Sequence, residues 1–220
     1  MRVLITGSSR GIGKAIAEKF LQEGHFVTGF DILPGTIDNG NYCHYNIDVR
    51  DKDSYPDMEP FDILINNAGV QNGDDIGVNL VGAIDITEKY GIHPGIKAVL
   101  MIGSAAAHSG SEFPVYAASK GGLITYAKNV ALRIAKYGAT CNSLDFGGVE
   151  TELNAPVMND KELWDRIMEL TPLKRWMSVS EAADWAYFMT AVNRFCTGQN
   201  ILIDGLEAGN CTFVWPEELS

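Results

Sequence analysis

Tyr116 and Lys120 stand four residues apart, a spacing that puts both side chains on one face of a helix and within reach of each other. A free phenol ionises near ~10, so acid–base work at neutral pH needs about three units of help, or ~4 kcal/mol of preference for phenolate. A nearby ammonium in a low-dielectric cleft supplies part of that preference. Tyrosine and lysine at this spacing also arise freely on surface helices, so the pair alone says little. Ser104 adds weight, because it lies twelve residues before Tyr116 and follows the apolar run Lys97–Ile102. Residues just beyond such a strand belong to the crevice of an open α/β sheet.

A second chemistry is written near the N-terminus. The apolar run Val3-Leu4-Ile5 leads straight into Thr6-Gly7-Ser8-Ser9-Arg10-Gly11-Ile12-Gly13, which opens a helical pattern. Glycines there let the backbone turn tightly and approach a pyrophosphate, whose charge settles on free N–H groups at the helix start. The spacing is G-x-x-x-G-x-G, and its position between strand and helix is what separates it from an ordinary glycine loop. Asp31 closes the next strand, eighteen residues beyond Gly13. A carboxylate there accepts hydrogen bonds from adenosine ribose hydroxyls and repels an added 2′-phosphate, which favours NAD over NADP. Arg10 argues mildly the other way, since a guanidinium in this turn can pair with a phosphate. A positively charged nicotinamide beside Tyr116 would add to the pull of Lys120 on the phenol.

The elements that must hold these residues alternate regularly. Val3–Ile5, Phe26–Phe30, Ile63–Ile65, Lys97–Ile102 and Asn200–Ile203 read as buried strands, with the near-continuous apolar character of a parallel sheet covered on both faces. Ile12–Gln22, stopped by Gly24, and Val115–Lys136, stopped by Gly138, read as helices. The expectation is an α/β fold: one Rossmann-type, doubly wound parallel sheet with helices on both faces, over residues 1–220 as a single domain. Asn154–Leu173 breaks the rhythm, being amphipathic (Leu163, Trp164, Ile167, Met168) with no strand beside it. The tail Asn210–Ser220 is acidic and aromatic and carries no readable role.

Composition narrows the classes. The 220 residues hold 28 acids against 17 bases, a net charge of −11, which repels nucleic acid and anionic membrane surfaces. No stretch nears the ~18–20 apolar residues of a membrane span, and the run at Met1–Gly7 is too short for a signal-peptide core. The scattered cysteines Cys43, Cys141, Cys196 and Cys211 read as reduced thiols, and a cytoplasmic location follows. The four histidines, His25, His44, His93 and His108, lack metal-ligand spacing, so no metal is expected.

Together with Thr6–Gly13, Ser104 and Tyr116-Ala117-Ala118-Ser119-Lys120, further pieces fall in a specific order. These are Asp48-Val49, Asn66-Asn67-Ala68-Gly69, Asn79, Asn142-Ser143, Gly147 through Thr151, and Thr197-Gly198-Gln199 before Asp204-Gly205. In that order they resemble the short-chain dehydrogenase/reductase family in its compact form, from Arg2 to about Ala208. The resemblance implies hydride transfer between a nicotinamide and a substrate carbon, interconverting a secondary alcohol and a ketone. It makes Tyr116 the general acid/base, Ser104 a donor to the same substrate oxygen, and Lys120 the group that holds the nicotinamide ribose and acidifies the phenol. Asn79 would position a water between Lys120 and solvent. Cofactor contacts would fall to Gly7, Ser9, Arg10, Gly11, Ile12 and Gly13 in the turn, to Asp31, and to Asp48 and Val49 at the adenine edge. Asn67, Ala68 and Gly69 would lie along the adenosine and ribose, and Val149 and Thr151 at the carboxamide and phosphate end. A homodimer or homotetramer acting on a small alcohol or ketone is implied.

Each residue also has an ordinary structural reading. Asn66–Gly69 can be a strand-ending turn, Ser104 and Asn79 caps, and Asp31 and Asp48 solvated loop acids. Two alternatives stay open: an NADP-dependent carbonyl or 3-oxoacyl thioester reductase, and a non-catalytic dinucleotide-sensing protein. The chain departs from the family in two places. Asn79 follows Gly69 by only ten residues, and Phe146 stands where the family has proline, after Asp145. Phe146 and His108 become candidate substrate-pocket residues for that reason and by position. The interruption at residues 154–173 falls where the family carries a substrate lid.

Overall fold

The computed structural model describes residues 1–111 and 113–209; the tail with Cys211 lies outside them. Its strands are β1 (Arg2–Thr6), β2 (Phe26–Asp31), β3 (Tyr42–Asn46), β4 (Ile63–Asn66), β5 (Ala98–Ile102), β6 (Thr140–Phe146) and β7 (Asn200–Ile203). All pair in parallel in one sheet of order β3-β2-β1-β4-β5-β6-β7. The chain winds outward from β1 to β3, then restarts at β4 on β1's other side, with Val3 opposite Ile63 and Ile5 opposite Ile65. That reversal leaves a crevice at the carboxyl ends of β1 and β4, the place where open α/β sheets bind ligands.

Helices cover both faces: α1 (Gly11–Gln22), α2 (Ala83–Tyr90), α3 (Ala106–Ser109), α4 (Pro114–Ile134), α5 (Ala155–Met158), α6 (Lys161–Leu170) and α7 (Val179–Tyr187). The two-residue alternation of β1 decides which face each side chain serves. Val3 and Ile5 pack with Ile16 and Phe20 of α1 and Ala182 and Ala186 of α7. Leu4 points the other way, into Ile86 of α2 and Leu123, Ala127 and Val130 of α4. Each of the larger side chains so buried (Val, Leu, Ile, Phe) contributes ~1.5–3 kcal/mol over its exposed state.

β3 and β6 were not among the strands read from apolar runs. β3 is Tyr-Cys-His-Tyr-Asn and half exposed at the sheet's edge, so no apolar run marks it. β6 is buried throughout, yet Thr140, Asn142, Ser143 and Asp145 break its run. Asn142 compensates by bonding outside the ladder, donating to the Cys196 carbonyl at 2.8 Å and accepting from the Gln199 N–H at 3.0 Å. The short link before Asn79 closes through a π-helical stretch, Ile76–Gly82, that runs directly into α2. Cys43, Cys141 and Cys196 are free thiols, and no described helix is long and apolar enough to cross a membrane.

Candidate active site

The glycine turn is built by close approach. Gly7 has φ +69°, and a Cβ there would sit 2.8 Å from both Ala68 Cα and Asn67 Nδ2. Gly13 makes no wall of the crevice; a Cβ on it would lie 2.0 Å from the Gly7 carbonyl oxygen, so it sets how tightly α1 docks on the turn. Arg10, extended at φ −153°, precedes α1 without any side-chain cap, and α1's first turn holds no acid. Its leading N–H groups and the positive end of its dipole are therefore left for an anion. Asn67 stitches the turn to β4's end, its Nδ2 donating to the carbonyls of Thr6 and Gly7 at 3.0 Å each. The Thr6 hydroxyl accepts from the N–H groups of Asn67 and Ala68, also at 3.0 Å.

Asp31 accepts from the Ser9 N–H and the Leu33 N–H, each at 2.9 Å. Those bonds aim its carboxylate along the crevice wall, and they give Ser9 a supporting place behind the wall. Asp48 sits further along the same wall, paired with Arg50 at 2.6 Å, and Arg50 reaches Asp74 at 3.3 Å. Hydrogen bonding to the Arg50 guanidinium holds the Asp48 carboxyl below the usual range.

A cleft of about 620 Å³ joins these groups to the candidate catalytic residues. Gly7, Arg10, Gly11 and Ile12 line one end together with Asp31, Asp48 and Val49. Asn67, Ala68 and Gly69 also line it, Ser104, Tyr116, Lys120, Phe146 and Val149 line the other end, and Thr151 stands by the turn, its Cγ2 3.6 Å from where a Cβ on Gly11 would be. Lys120 is buried, and its Nζ donates to the Ile102 carbonyl at 2.9 Å and lies 5.8 Å from the Tyr116 ring centroid. Desolvation draws its pKa down to about 8, against the pull of Asp145 and Asp75. The Ser104 hydroxyl, also buried, accepts from the Ala106 N–H at 3.2 Å. As an acceptor in that bond, the hydroxyl keeps its own proton to donate.

Asn79 works from behind the wall. Its Oδ1 accepts from the Val70 N–H at 2.8 Å, and its Nδ2 donates to the Val70 carbonyl at 2.9 Å and to Ser119 Oγ at 3.0 Å. Its side-chain amide thus fastens the Val70 loop to α4, beside the residue preceding Lys120. A methyl on Gly69 would lie 3.3 Å from Asn79 Oδ1 and 3.6 Å from Lys120 Nζ, so both side chains flank that one glycine. His108 corrects its expected place. It does not line the cleft but bonds through Nε2 to Asp145 Oδ2 at 2.6 Å, because the buried carboxylate offers a stronger partner than open solvent.

Sequence reasoning missed Arg50, Asp74 and Trp176 on the wall. Arg50 was findable, being next in sequence to Asp48 and Val49. Trp176 was not: it enters by lying across Gly148, its Nε1 2.0 Å from where a Cβ would stand. Trp164 of α6 packs edge-on against it at 5.0 Å between ring centroids. Leu153 and Asn154, where residues 154–173 begin, also reach the cleft. Among the described residues no cluster of three or more His, Cys, Asp or Glu could hold a metal.

A parallel sheet with an anion-binding turn at its switch point, sharing one cleft with a buried lysine beside a half-buried tyrosine, is the layout of a dinucleotide-dependent oxidoreductase. Comparison with known proteins agrees. The family described as enoyl-(acyl carrier protein) reductase matches residues 7–205. A 3-oxoacyl-[acyl-carrier-protein] reductase FabG from Buchnera aphidicola subsp. Schizaphis graminum is 30% identical, over 92% of this chain and 95% of its own length. The structure of 4-hydroxyisoleucine dehydrogenase complexed with NADH is 25% identical, with TM-score 0.80 over 96% of this chain and 99% of that one. Ligand-free aldohexose dehydrogenase from Thermoplasma acidophilum is also 25% identical, with TM-score 0.83 over 98% and 97%. The chain belongs to the short-chain dehydrogenase/reductase family, whose members are NAD(P)-using oxidoreductases acting on small molecules.

Proposed function

We propose that the protein interconverts a secondary alcohol and a ketone with NAD(H), using Tyr116 as general acid/base. The observation that carries the reading is Lys120: an ammonium-bearing side chain buried on the cleft wall, beside the Tyr116 ring and tied to the end of β5. Burying a lysine costs stability unless its charge is used.

The cleft fits a dinucleotide on its own features. The glycine turn excludes side chains where a pyrophosphate would approach, and the uncapped start of α1 presents free N–H groups to it. Asp31 would take the adenosine ribose hydroxyls; Asp48 and Val49 would meet the adenine edge, and Asn67, Ala68 and Gly69 the ribose. Val149 and Thr151 would meet the carboxamide and phosphate end, Thr151 lying beside Gly11 of the turn. A bound nicotinamide supplies or accepts the hydride.

The chain's own residues handle the proton and the oxygen. Ser104 donates to the substrate oxygen and stabilises charge as it builds there. Tyr116 gives its phenolic proton to that oxygen in reduction and removes it in oxidation. Lys120, held by the Ile102 carbonyl, favours the phenolate and would also grip the nicotinamide ribose. Asn79 keeps the Val70 loop and α4 in register around Lys120. Phe146 and Trp176 give the substrate end apolar surface, and residues 154–173 act as its lid.

Arg10, exposed on the same wall as Asp31, favours a second reading, an NADP-dependent reductase of 3-oxoacyl thioesters like the FabG relative. Initial rates with NADH and NADPH over a panel of ketones, 3-oxoacyl thioesters included, decide between the two. The NAD reading expects faster turnover with NADH; a strong NADPH preference overturns it. We also propose a homodimer or homotetramer, supported by Trp185, Phe188, Val192 and Phe195, which leave large apolar surface exposed around the end of α7. Sedimentation would then show two or four chains per particle, and a monomer would refute the assembly.

A further inference from the structure

Asp145 is a charge in an expensive place. It is fully buried near the carboxyl end of β6, the strand next to the edge strand β7, and its Oδ1 has no hydrogen-bond partner among the described residues. Its other oxygen takes the 2.6 Å bond from His108 of α3. An apolar residue of similar size would suit such a position better, so the carboxylate asks for an explanation.

The surroundings supply one. Beyond β5, the N–H groups of Gly103 and Ala105 continue the ladder to the Leu144 and Phe146 carbonyls, each at 2.8 Å, and so bracket Asp145. A Cβ on Gly103 would lie 1.8 Å from Asp145 Oδ1, which means the carboxylate rests directly against the residue before Ser104. Lys120 holds the residue on the other side of Gly103, through the Ile102 carbonyl. Asp145 and Lys120 therefore both bear on the two-residue stretch Ile102-Gly103, and His108 ties the far end of the Ser104 segment to Asp145.

Resting on the reading of Ser104, Tyr116 and Lys120 given above, we infer that Asp145 and His108 form a positioning pair for the reaction. The pair pins the Ser104 segment to β6 and keeps a negative charge behind Lys120, so that the lysine stays protonated while it serves the phenol. The groups facing Asp145 are His108 from α3, Lys120 from α4 and the Ser143 hydroxyl on its own strand. Lys120 also faces Asp75, at the start of the π-helical stretch. Burial raises the Asp145 proton affinity while the His108 bond, Ser143 and Lys120 lower it. Without His108 the carboxylate loses the hydrogen bond that does most to hold its proton affinity down.

The test reads Lys120 directly. Protein carrying lysine labelled with carbon-13 at Cε is titrated by NMR, with the Lys120 signal assigned through Lys120→Arg. In Asp145→Asn the Lys120 midpoint should fall by about one pH unit, the effect of removing one nearby charge at intermediate dielectric. His108→Leu should lower it in the same direction. His108→Gln, which keeps a donor for Asp145, should leave it near the unmodified value. Turnover of the best ketone in the panel should fall about tenfold in Asp145→Asn, with NADH affinity unchanged. An unchanged Lys120 midpoint in both Asp145→Asn and His108→Leu overturns the inference. Should Asp145→Asn fail to fold, the two His108 variants decide alone. The reading of the site fails separately: Tyr116→Phe would then keep full turnover, whatever Asp145 does to Lys120.

Discussion

At the scale of single residues, Lys120 carries a pH signature of its own. Its pKa drops from 10.5 in the unfolded chain to about 8 when buried, so below pH 8 the folded state holds a proton at a cost. The unfolded state binds more protons than the folded one between those two values, and stability gains from this group as pH rises through that window. Lys120→Met should therefore stabilise the protein by roughly 3 kcal/mol at neutral pH. The gain should shrink as the pH of urea melts is raised from 8 toward 10.5. Asp31 makes a second prediction at this scale. Asp31→Ala removes the charge that repels a 2′-phosphate and should move the ratio of NADH to NADPH rates toward NADPH by about tenfold or more. An unmoved ratio would take Asp31 out of cofactor selection.

At the scale of elements, the glycine turn and the lid answer to different substitutions. Gly13→Ala puts a methyl 2.0 Å from backbone oxygen, where no flexible side chain can yield. It should cost about 1–3 kcal/mol in thermal or urea melts and weaken dinucleotide binding, because α1 must lift off the turn. Asp160 caps α6, its Oδ1 accepting from the Leu163 N–H at 3.0 Å. Asp160→Ala should loosen that helix by about 1 kcal/mol and raise the substrate KM while leaving NADH affinity alone. An unchanged KM would remove α6 from substrate closure. Such elements were unequally legible in the sequence. The turn, α1 and the strands β1, β2, β4, β5 and β7 announce themselves, because local apolar runs and glycines mark them. β6 escapes because its polar residues are satisfied by distant partners, as Asn142 is by Cys196 and Gln199. No local pattern encodes that.

At the scale of the whole molecule, the topology explains why residues spread from Gly7 to Thr151 meet in one cleft. The reversal of strand order between β1 and β4 opens a single crevice, and every strand end nearby delivers one part of the site. Tyr116, Lys120 and Ser104 could be assigned to it from sequence because strand-end position and helical spacing are local properties. Trp176 and the Asp145–His108 pair could not, since each depends on which loops the folded sheet brings together. Asn79 and Gly13 lay between these cases: their place near the site was readable, but their action through Ser119 and the Gly7 carbonyl appears only in three dimensions.

The central claim is that one phenol moves the proton while the cleft holds a dinucleotide. The most direct measurement is nicotinamide absorbance during turnover by Tyr116→Phe, paired with calorimetric titration of NADH into the same variant. The predicted result is a loss of about 10²–10⁴ in turnover with NADH affinity unchanged. Turnover within a few-fold of the unmodified enzyme would contradict it.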